Sequence, residues 1–184
     1  CAHLLAQAVT ELYPGVQCGV GPAVENGFYY DFLVATPFTP EDLERIAARM
    51  SELVALDVPV ERLSWTRVEA EEYFRGQGQH LKLELIADKV VGDEVTVYRQ
   101  GGFVDLCRGP HLPSTRHLRH FKLLSVAAAY WKGDERNASM QRIYGAVFAT
   151  AEELQGYLDF LRQAQERDHR NLGRELDLFS LQEE

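Results

Sequence analysis

Two strand-like runs flank a glycine pair in residues 95–111, which read VTVYRQGGFVDLCRGPH. β-Branched and aromatic residues fill 95–99 and 103–106, and Gly101-Gly102 between them is typical of a hairpin turn. Working outward, residues 121–131 and 141–148 predict a second hairpin, joined by a polar loop. Antiparallel hairpins therefore dominate the strands of this chain.

Helical patterns are interspersed with these strands. Apolar residues at helical spacing predict an amphipathic helix over 2–13, which Pro14-Gly15 ends. Thr39-Pro40 begins another helix, and Thr66-x-x-Glu69 and Thr150-x-x-Glu153 are capping boxes. The mixed order predicts an α+β fold with a largely antiparallel sheet packed with helices. We expect one domain over residues 1–149 and a long, charged C-terminal connector helix within 150–184, leading towards a further domain.

Composition restricts the function. The 184 residues carry a formal net charge of −9, which is unfavourable for holding nucleic acid without help. Any such substrate must be delivered by another domain or contacted over only a few nucleotides. No run of about 18 apolar residues exists, so no membrane span or membrane partner is expected. Three cysteines without a framework spacing predict a reducing, cytoplasmic setting.

The hairpin at 95–111 also carries candidate chemistry. Asp105 and Cys107 are two apart on a strand and share a face, and Gly109-Pro110 turns the chain so that His111 folds back beside Cys107. His3 joins them if the first helix packs against this strand. His3, Cys107 and His111 are acceptable zinc ligands, but structural zinc takes four. Cys1 is a possible fourth ligand, although a terminal residue is a poor anchor. A metal-free site that orients a water or a polar substrate group is the alternative.

Three more side chains are candidates for the same pocket. Lys82, between Leu81 and Leu83, suits the stabilisation of an oxyanion or a water if its segment lines a pocket. Tyr29 and Tyr30 must face opposite sides of their strand, and either hydroxyl is suited to contact a ribose or adenine. Core packing is the alternative for both tyrosines. A basic cluster, consisting of His117, Arg119, His120 and Lys122, is suited to one or two phosphates.

Several of these motifs occur together in a known family. The chain resembles the editing domain of bacterial threonyl-tRNA synthetases, which is related to that of alanyl-tRNA synthetases, over residues 1 to about 175. The motifs that carry the resemblance are, in order, Cys1-Ala2-His3-Leu4-Leu5, Gly21-Pro22, Asn26-Gly27-Phe28-Tyr29-Tyr30-Asp31, Asp105-Leu106-Cys107-Arg108-Gly109-Pro110-His111, Tyr130-Trp131-Lys132-Gly133-Asp134 and Gln141-Arg142-Ile143-Tyr144-Gly145. Residues 167–179 resemble the join to the aminoacylation core.

The resemblance implies hydrolysis of the ester in threonine tRNA mischarged with serine. It places His3, Cys107 and His111 on three of four His/Cys cluster positions, and Lys82 on the catalytic lysine. It also places Asp105 on the pocket carboxylate and Tyr30 near the terminal adenosine. In the bacterial threonyl branch the resemblance implies that no metal is required. The expected partners are the 3′ end of the tRNA and the aminoacylation and anticodon-binding domains of the same enzyme.

The fourth cluster position of the motif is a histidine two residues before Cys1. If the chain starts at Cys1, we expect strongly reduced editing and no stable zinc site. Two rival functions stay open at this point. One is a zinc-dependent hydrolase of another small ester or amide, and the other is a non-catalytic module that binds the tRNA 3′ end.

Overall fold

The computed structural model describes residues 1–167, whose strands form two antiparallel sheets. Strands β1, β2, β3, β7 and β8 form a five-stranded sheet in which β3 pairs with β1, β2 and β8, and β8 pairs with β7. Strands β4, β5 and β6 form a second sheet in that order. The elements are, in chain order, α1 (Ala2–Leu12), β1 (Gln17–Cys18), β2 (Ala23–Val24), β3 (Gly27–Leu33), α2 (Pro40–Ala55), β4 (Val60–Thr66), α3 (Arg67–Gly76), α4 (His80–Lys89), β5 (Glu94–Gln100), β6 (Phe103–Leu106), β7 (His120–Tyr130), β8 (Ser139–Phe148) and α5 (Ala151–Glu166).

The larger core lies between the first two helices and the inner face of the five-stranded sheet. α1 is buried along most of its length and packs against α2 and β3. Phe28, Tyr30 and Phe32 alternate along β3 and are almost fully buried, since every second side chain of a strand faces the same side. The predicted first helix is confirmed, and its burial carries His3 into the interior.

A smaller core lies between the three-stranded sheet and the pair α3 and α4. Val95 and Val97 of β5 and Val104 of β6 pack against Phe74 of α3 and Ile86 of α4. Val104 faces this core, so Asp105 on β6 faces the other way, as the strand alternation predicts. The hairpin of β5 and β6 thus separates the small core from a polar site.

Sequence signals placed the helix starts correctly. The side chains of Thr39, Thr66 and Thr150 each accept a hydrogen bond from the backbone amide of the third helical residue. The carboxylate of that third residue accepts a hydrogen bond from the backbone amide of the threonine. These three capping boxes satisfy donors that a helix N-terminus otherwise leaves free. One difference concerns residue 131. The strand predicted over 121–131 ends at Tyr130, and Trp131–Gly133 form a 3-10 turn with Lys132 at φ +57°.

The described chain falls into two units. The first contains residues 1–147, and the second begins at Phe148 and contains α5. Within the second unit the rings of Phe148 and Tyr157 are 5.2 Å apart between centroids. The predicted join to a following domain lies almost wholly outside the described residues. No helix within residues 1–167 is long and apolar enough to span a membrane.

Candidate active site

Four elements of the first unit deliver polar side chains to one buried point. β6 supplies Asp105, α4 supplies Lys82, β3 supplies Tyr30 and α1 supplies His3, and all four side chains are buried. Buried polar groups need partners, because an unsatisfied one costs about 1–3 kcal/mol. These four residues satisfy most of that requirement through one another.

The centre of this cluster is the Asp105 carboxylate. Tyr30 donates its hydroxyl to Asp105 Oδ2 at 2.5 Å, and Lys82 Nζ forms an ion pair with Oδ1. The backbone amide of Leu106 also donates to Oδ1, at 2.8 Å. Burial alone would raise the pKa of the Asp105 carboxyl, but Lys82 and His3 outweigh it and hold the pKa below its usual value. The carboxylate is therefore charged at neutral pH.

Lys82 has no free donor in this arrangement. Its ammonium contacts Asp105 and also donates to the Gly19 carbonyl and the Tyr30 hydroxyl, each at 2.8 Å. A lysine ammonium has three N–H donors, and all three are used. Any contact between Lys82 and a water or substrate oxygen must therefore replace one of these acceptors.

Tyr30 bridges the lysine and the aspartate. Burial and the neighbouring Asp105 raise the pKa of its phenol well above the usual value, so the hydroxyl keeps its proton. Its ring lies against the segment after β1, where a Cβ on Gly21 would lie 2.0 Å from a Tyr30 ring carbon. Only glycine allows that segment to approach so closely.

His3 approaches the same carboxylate from α1. Its Nε2 lies 3.5 Å from Asp105 Oδ2, and its ring centroid lies 4.5 Å from that of His111. Burial lowers the pKa of His3 to about 4, against the opposing attraction of Asp105. His3 is thus a neutral imidazole at pH 7, with one ring nitrogen able to accept a proton.

Cys107 and His111 border the cluster on the far side of His3. His111 Nε2 lies 3.1 Å from Cys107 Sγ, and the Gly109 amide donates to that sulfur at 3.4 Å. The predicted fold-back of His111 is confirmed. Gly109 has φ +70°, and a Cβ there would lie 1.9 Å from the Tyr98 hydroxyl, so this turn requires glycine.

His3, Cys107 and His111 also form the only group of potential metal ligands within residues 1–167. One ligand atom from each lies within 4.8 Å of the other two. The donor set of two imidazoles and a thiol suits zinc, and three protein ligands are typical of catalytic zinc. Asp105 is not available as a fourth ligand, because Lys82 and Tyr30 already occupy its oxygens.

The cluster opens into a cavity of about 830 Å³, a volume suited to a small organic ligand. Lys82, Asp105, His3 and Cys107 line its inner part. Its remaining wall is formed by the segments at 19–22, 85–91, 94–96 and 106–108. A second cavity, of about 340 Å³, lies on the side of His111 and also reaches His3 and Cys107.

Side chains that the sequence did not indicate fix the position of α4. Gln79 accepts from the Cys18 amide and donates to the Val16 carbonyl, and Gln17 accepts from the His80 amide and donates to the Gly78 carbonyl. The side chains of the two glutamines thus join β1 to the start of α4 through four hydrogen bonds with backbone groups. Amide side chains occur in many roles, so the sequence alone carries no signal for this one.

The other end of α4 is held by the turn after β7. Trp131 donates its indole N–H to Glu84 at 2.8 Å, and Lys132 pairs with Asp88 at 2.6 Å and with Glu84 at 3.3 Å. The Trp131 ring is buried against Leu81, which precedes Lys82. Trp131 therefore belongs to the packing that holds α4 in place.

Two predicted candidates are not brought to the cluster. Tyr29 lies on the opposite face of β3 from Tyr30, where Arg142 stacks over its ring at 4.0 Å and also binds Asp31 through two hydrogen bonds. The basic cluster at 117–122 does not line either cavity. Cys18, by contrast, was not predicted, yet it is buried beside Tyr30, and burial raises the pKa of its thiol to about 12.

Comparison with known proteins confirms the resemblance drawn from the motifs. Residues 95–144 match the family described as the threonyl and alanyl tRNA synthetase second additional domain. This range contains β6, all but the first residue of β5, and Asp105, Cys107 and His111.

Similarity to individual enzymes extends over the whole chain. A threonine–tRNA ligase of Acidovorax sp. (strain JS42) is 59% identical over 182 residues, 99% of this chain. The ligases of Aromatoleum aromaticum and Rickettsia akari are 56% and 54% identical over 183 residues. The chain spans only 28–29% of the length of these relatives.

Proposed function

We propose that this chain, which is similar along its full length to threonine–tRNA ligases, hydrolyses the ester of serine on threonine tRNA. The observation that carries the proposal is the buried cluster of Lys82, Tyr30, Asp105 and His3, of which Lys82, Asp105 and His3 line the large cavity. The cluster combines a neutral imidazole, a fixed carboxylate and a cation, which are the groups that ester hydrolysis by water needs.

A separate hydrolytic site has a physical purpose in such an enzyme. Serine lacks only the methyl group of threonine. The site that attaches the amino acid to tRNA cannot exclude a smaller amino acid by its shape. One methyl group discriminates by only about 1–3 kcal/mol. A second pocket that excludes threonine by size and hydrolyses serine esters supplies the missing selectivity.

In the proposed reaction, a water attacks the ester carbonyl carbon. Neutral His3 is placed to accept a proton from that water, and the proton then returns to the ribose oxygen as the ester bond breaks. Lys82 is placed to stabilise the oxyanion, after exchanging one of its three acceptors for it. Asp105 and Tyr30 hold Lys82 in position. Asp105 lines the cavity and is proposed to contact a polar group of the substrate in exchange for one of its present partners, whereas Tyr30 acts through its bridge to Asp105. Cys107 and His111 border the pocket and organise its wall.

The proposed partners are those that the family resemblance implies, and they agree with the charge of the chain. A chain with a net charge of −9 is poorly suited to bind a whole tRNA. We propose that aminoacylation and anticodon-binding domains of the same cytoplasmic enzyme hold the tRNA and present its 3′ end to the cavity. No metal or other cofactor takes part in the proposed reaction.

The test is deacylation of seryl-tRNA by a protein containing residues 1–184. We expect Lys82→Ala and His3→Ala each to lower the rate at saturating substrate at least about tenfold. Lys122→Ala, outside the cavity, is the matched control and should leave the rate unchanged. An unaltered rate in Lys82→Ala would remove Lys82 from the mechanism. Tight binding of a serine ester analogue without hydrolysis would instead favour a non-catalytic binding module.

The close approach of His3, Cys107 and His111 favours one second candidate, a zinc-dependent ester or amide hydrolase. In that case these residues would hold the metal, and the metal would activate a water. Metal analysis after purification distinguishes the two candidates. Stoichiometric zinc that is lost in Cys107→Ala would support the zinc enzyme, and full activity in the presence of a chelator would support the metal-free site.

A further inference from the structure

Two cations line the exposed end of the cavity above Lys82 and Asp105. They are Lys89, the last residue of α4, and Arg108, which directly follows Cys107. Both side chains are exposed. The structure assigns the Arg108 side chain no ion pair or hydrogen bond with another residue among residues 1–167. Within the described part of the chain, Arg108 therefore presents an unpaired guanidinium at the entrance to the proposed active site.

The other charges of this cavity do not cancel them. Asp105 is paired with Lys82 at the inner end. Glu94, the other carboxylate in the lining, offsets only one of the two cations. The entrance is thus locally cationic in a chain whose net charge is −9. Such a reversal of sign favours an anionic ligand.

We propose that Arg108, together with Lys89, binds the phosphate on the 5′ side of the terminal nucleotide of the substrate. The inference rests on the proposed function, because it assumes that the serine ester lies at the inner end near Lys82. The nucleoside then fills the cavity, and its 5′ phosphate reaches the exposed end. The planar guanidinium of an arginine matches two phosphate oxygens at once, and a lysine adds a point charge.

The basic cluster at 117–122 is the competing phosphate site. It has a similar local charge, but none of its four residues lines the cavity that contains Lys82 and Asp105. A phosphate bound there would not be the one adjoining a nucleotide in this cavity. The geometry therefore favours Arg108 over Arg119 for the terminal phosphate.

The test compares three substrates of the full 184-residue chain. These are seryl-tRNA, the serine ester of adenosine 5′-monophosphate and the serine ester of adenosine, which has no phosphate. We expect Arg108→Met to raise KM about tenfold for the first two and to leave kcat unchanged. KM for the adenosine ester should not change. Arg119→Met is the matched control, and it should leave KM for both adenosine esters unchanged.

An equal rise in KM for the ester without phosphate would overturn the proposal, as would a rise in Arg119→Met but not in Arg108→Met. A second readout does not depend on hydrolysis. Adenosine 5′-monophosphate should bind the wild-type chain about tenfold more tightly than it binds Arg108→Met, as measured by calorimetry. If the wild-type chain hydrolyses none of the esters but binds adenosine 5′-monophosphate more tightly than Arg108→Met does, the proposed function fails and the phosphate site stands.

Discussion

Tyr30 donates its hydroxyl to Asp105 Oδ2 at 2.5 Å while accepting a hydrogen bond from Lys82 at 2.8 Å. Tyr30 and Asp105 lie 75 positions apart, on β3 and β6, and these strands belong to different sheets. This contact therefore joins the two sheets at the point where the proposed chemistry takes place. Because all three side chains are buried, each depends on the others for its polar partners.

Tyr30→Phe removes the bridge without changing the shape of the ring. We expect the free energy of unfolding to fall by about 1–3 kcal/mol, because Asp105 Oδ2 and one donor of Lys82 lose a buried partner. Urea unfolding monitored by circular dichroism measures the change. Tyr29→Phe, on the opposite face of the same strand, is the matched control and should cost less than about 0.5 kcal/mol. Equal effects of the two variants would contradict the bridging role.

The pair of Lys82 and Asp105 should show strong coupling. Asp105→Asn or Lys82→Met alone leaves a buried charge unpaired, which costs about 3–5 kcal/mol. The double variant removes both charges, so its loss in unfolding free energy should be clearly smaller than the sum of the two single losses. A double-mutant cycle in urea measures this difference. Strict additivity would show that the two charges do not depend on each other in solution.

His3 predicts a particular pH dependence of stability. The unfolded histidine binds a proton near pH 6.5, whereas the folded one, surrounded by Asp105, His111 and Lys82, binds it only near pH 4. Between these values the unfolded state holds more protons. The free energy of unfolding should therefore fall as the pH drops from 6.5 to 4, by about 3 kcal/mol, and this contribution is constant below pH 4.

Urea unfolding across that pH range, with a chelator present, measures the effect. His3→Gln should show a flatter profile between pH 6.5 and 4, while His117→Gln, at an exposed position, should keep the wild-type profile. The pKa of Asp105 is lower in the folded state than in the unfolded state. Its contribution to the free energy of unfolding is therefore lost at still lower pH, as the pH falls through the folded pKa. A wild-type slope in His3→Gln would show that His3 is not buried as a neutral ring.

Gly109 is predicted to be intolerant of any side chain. In Gly109→Ala the new Cβ would meet the Tyr98 hydroxyl, and the backbone would keep an unfavourable positive φ. We expect a loss of about 1–3 kcal/mol in unfolding free energy. Gly102→Ala is the matched control, because a Cβ there meets no atom within 4 Å and its φ is not positive. A Gly109→Ala protein as stable as this control would contradict the tight turn.

Local patterns predicted much of this fold from the sequence. Threonine-based capping boxes and helical spacing gave the starts of α2, α3 and α5, because these signals depend only on residues close in the chain. Strand alternation placed Asp105 opposite Val104, and the glycine in Gly109-Pro110 explained the return of His111 to Cys107. Residues 3, 82, 105, 107 and 111 were candidates because side chains of these types can carry chemistry, and the family resemblance assigned their roles.

What the sequence did not reveal depends on contacts between distant segments. One of the three donors of the Lys82 ammonium binds the backbone carbonyl of Gly19. A glycine has no side chain that could indicate this contact in the sequence. The glutamines that hold α4 against β1 are 62 positions apart, and no local pattern pairs them. The residue types left open which of Tyr29 and Tyr30 faces the interior, and only the family resemblance selected Tyr30. The packing of α1 against β3 decides it.

The most direct measurement of the central claim compares two preformed esters of the same tRNA. Threonine tRNA charged with serine or with threonine is incubated with a protein containing residues 1–184, and the loss of each ester is followed over time. The proposal predicts hydrolysis of the seryl ester at least about tenfold faster than that of the threonyl ester, and loss of this difference in Lys82→Ala. Equal rates for the two esters, or no hydrolysis above the protein-free control, would contradict it.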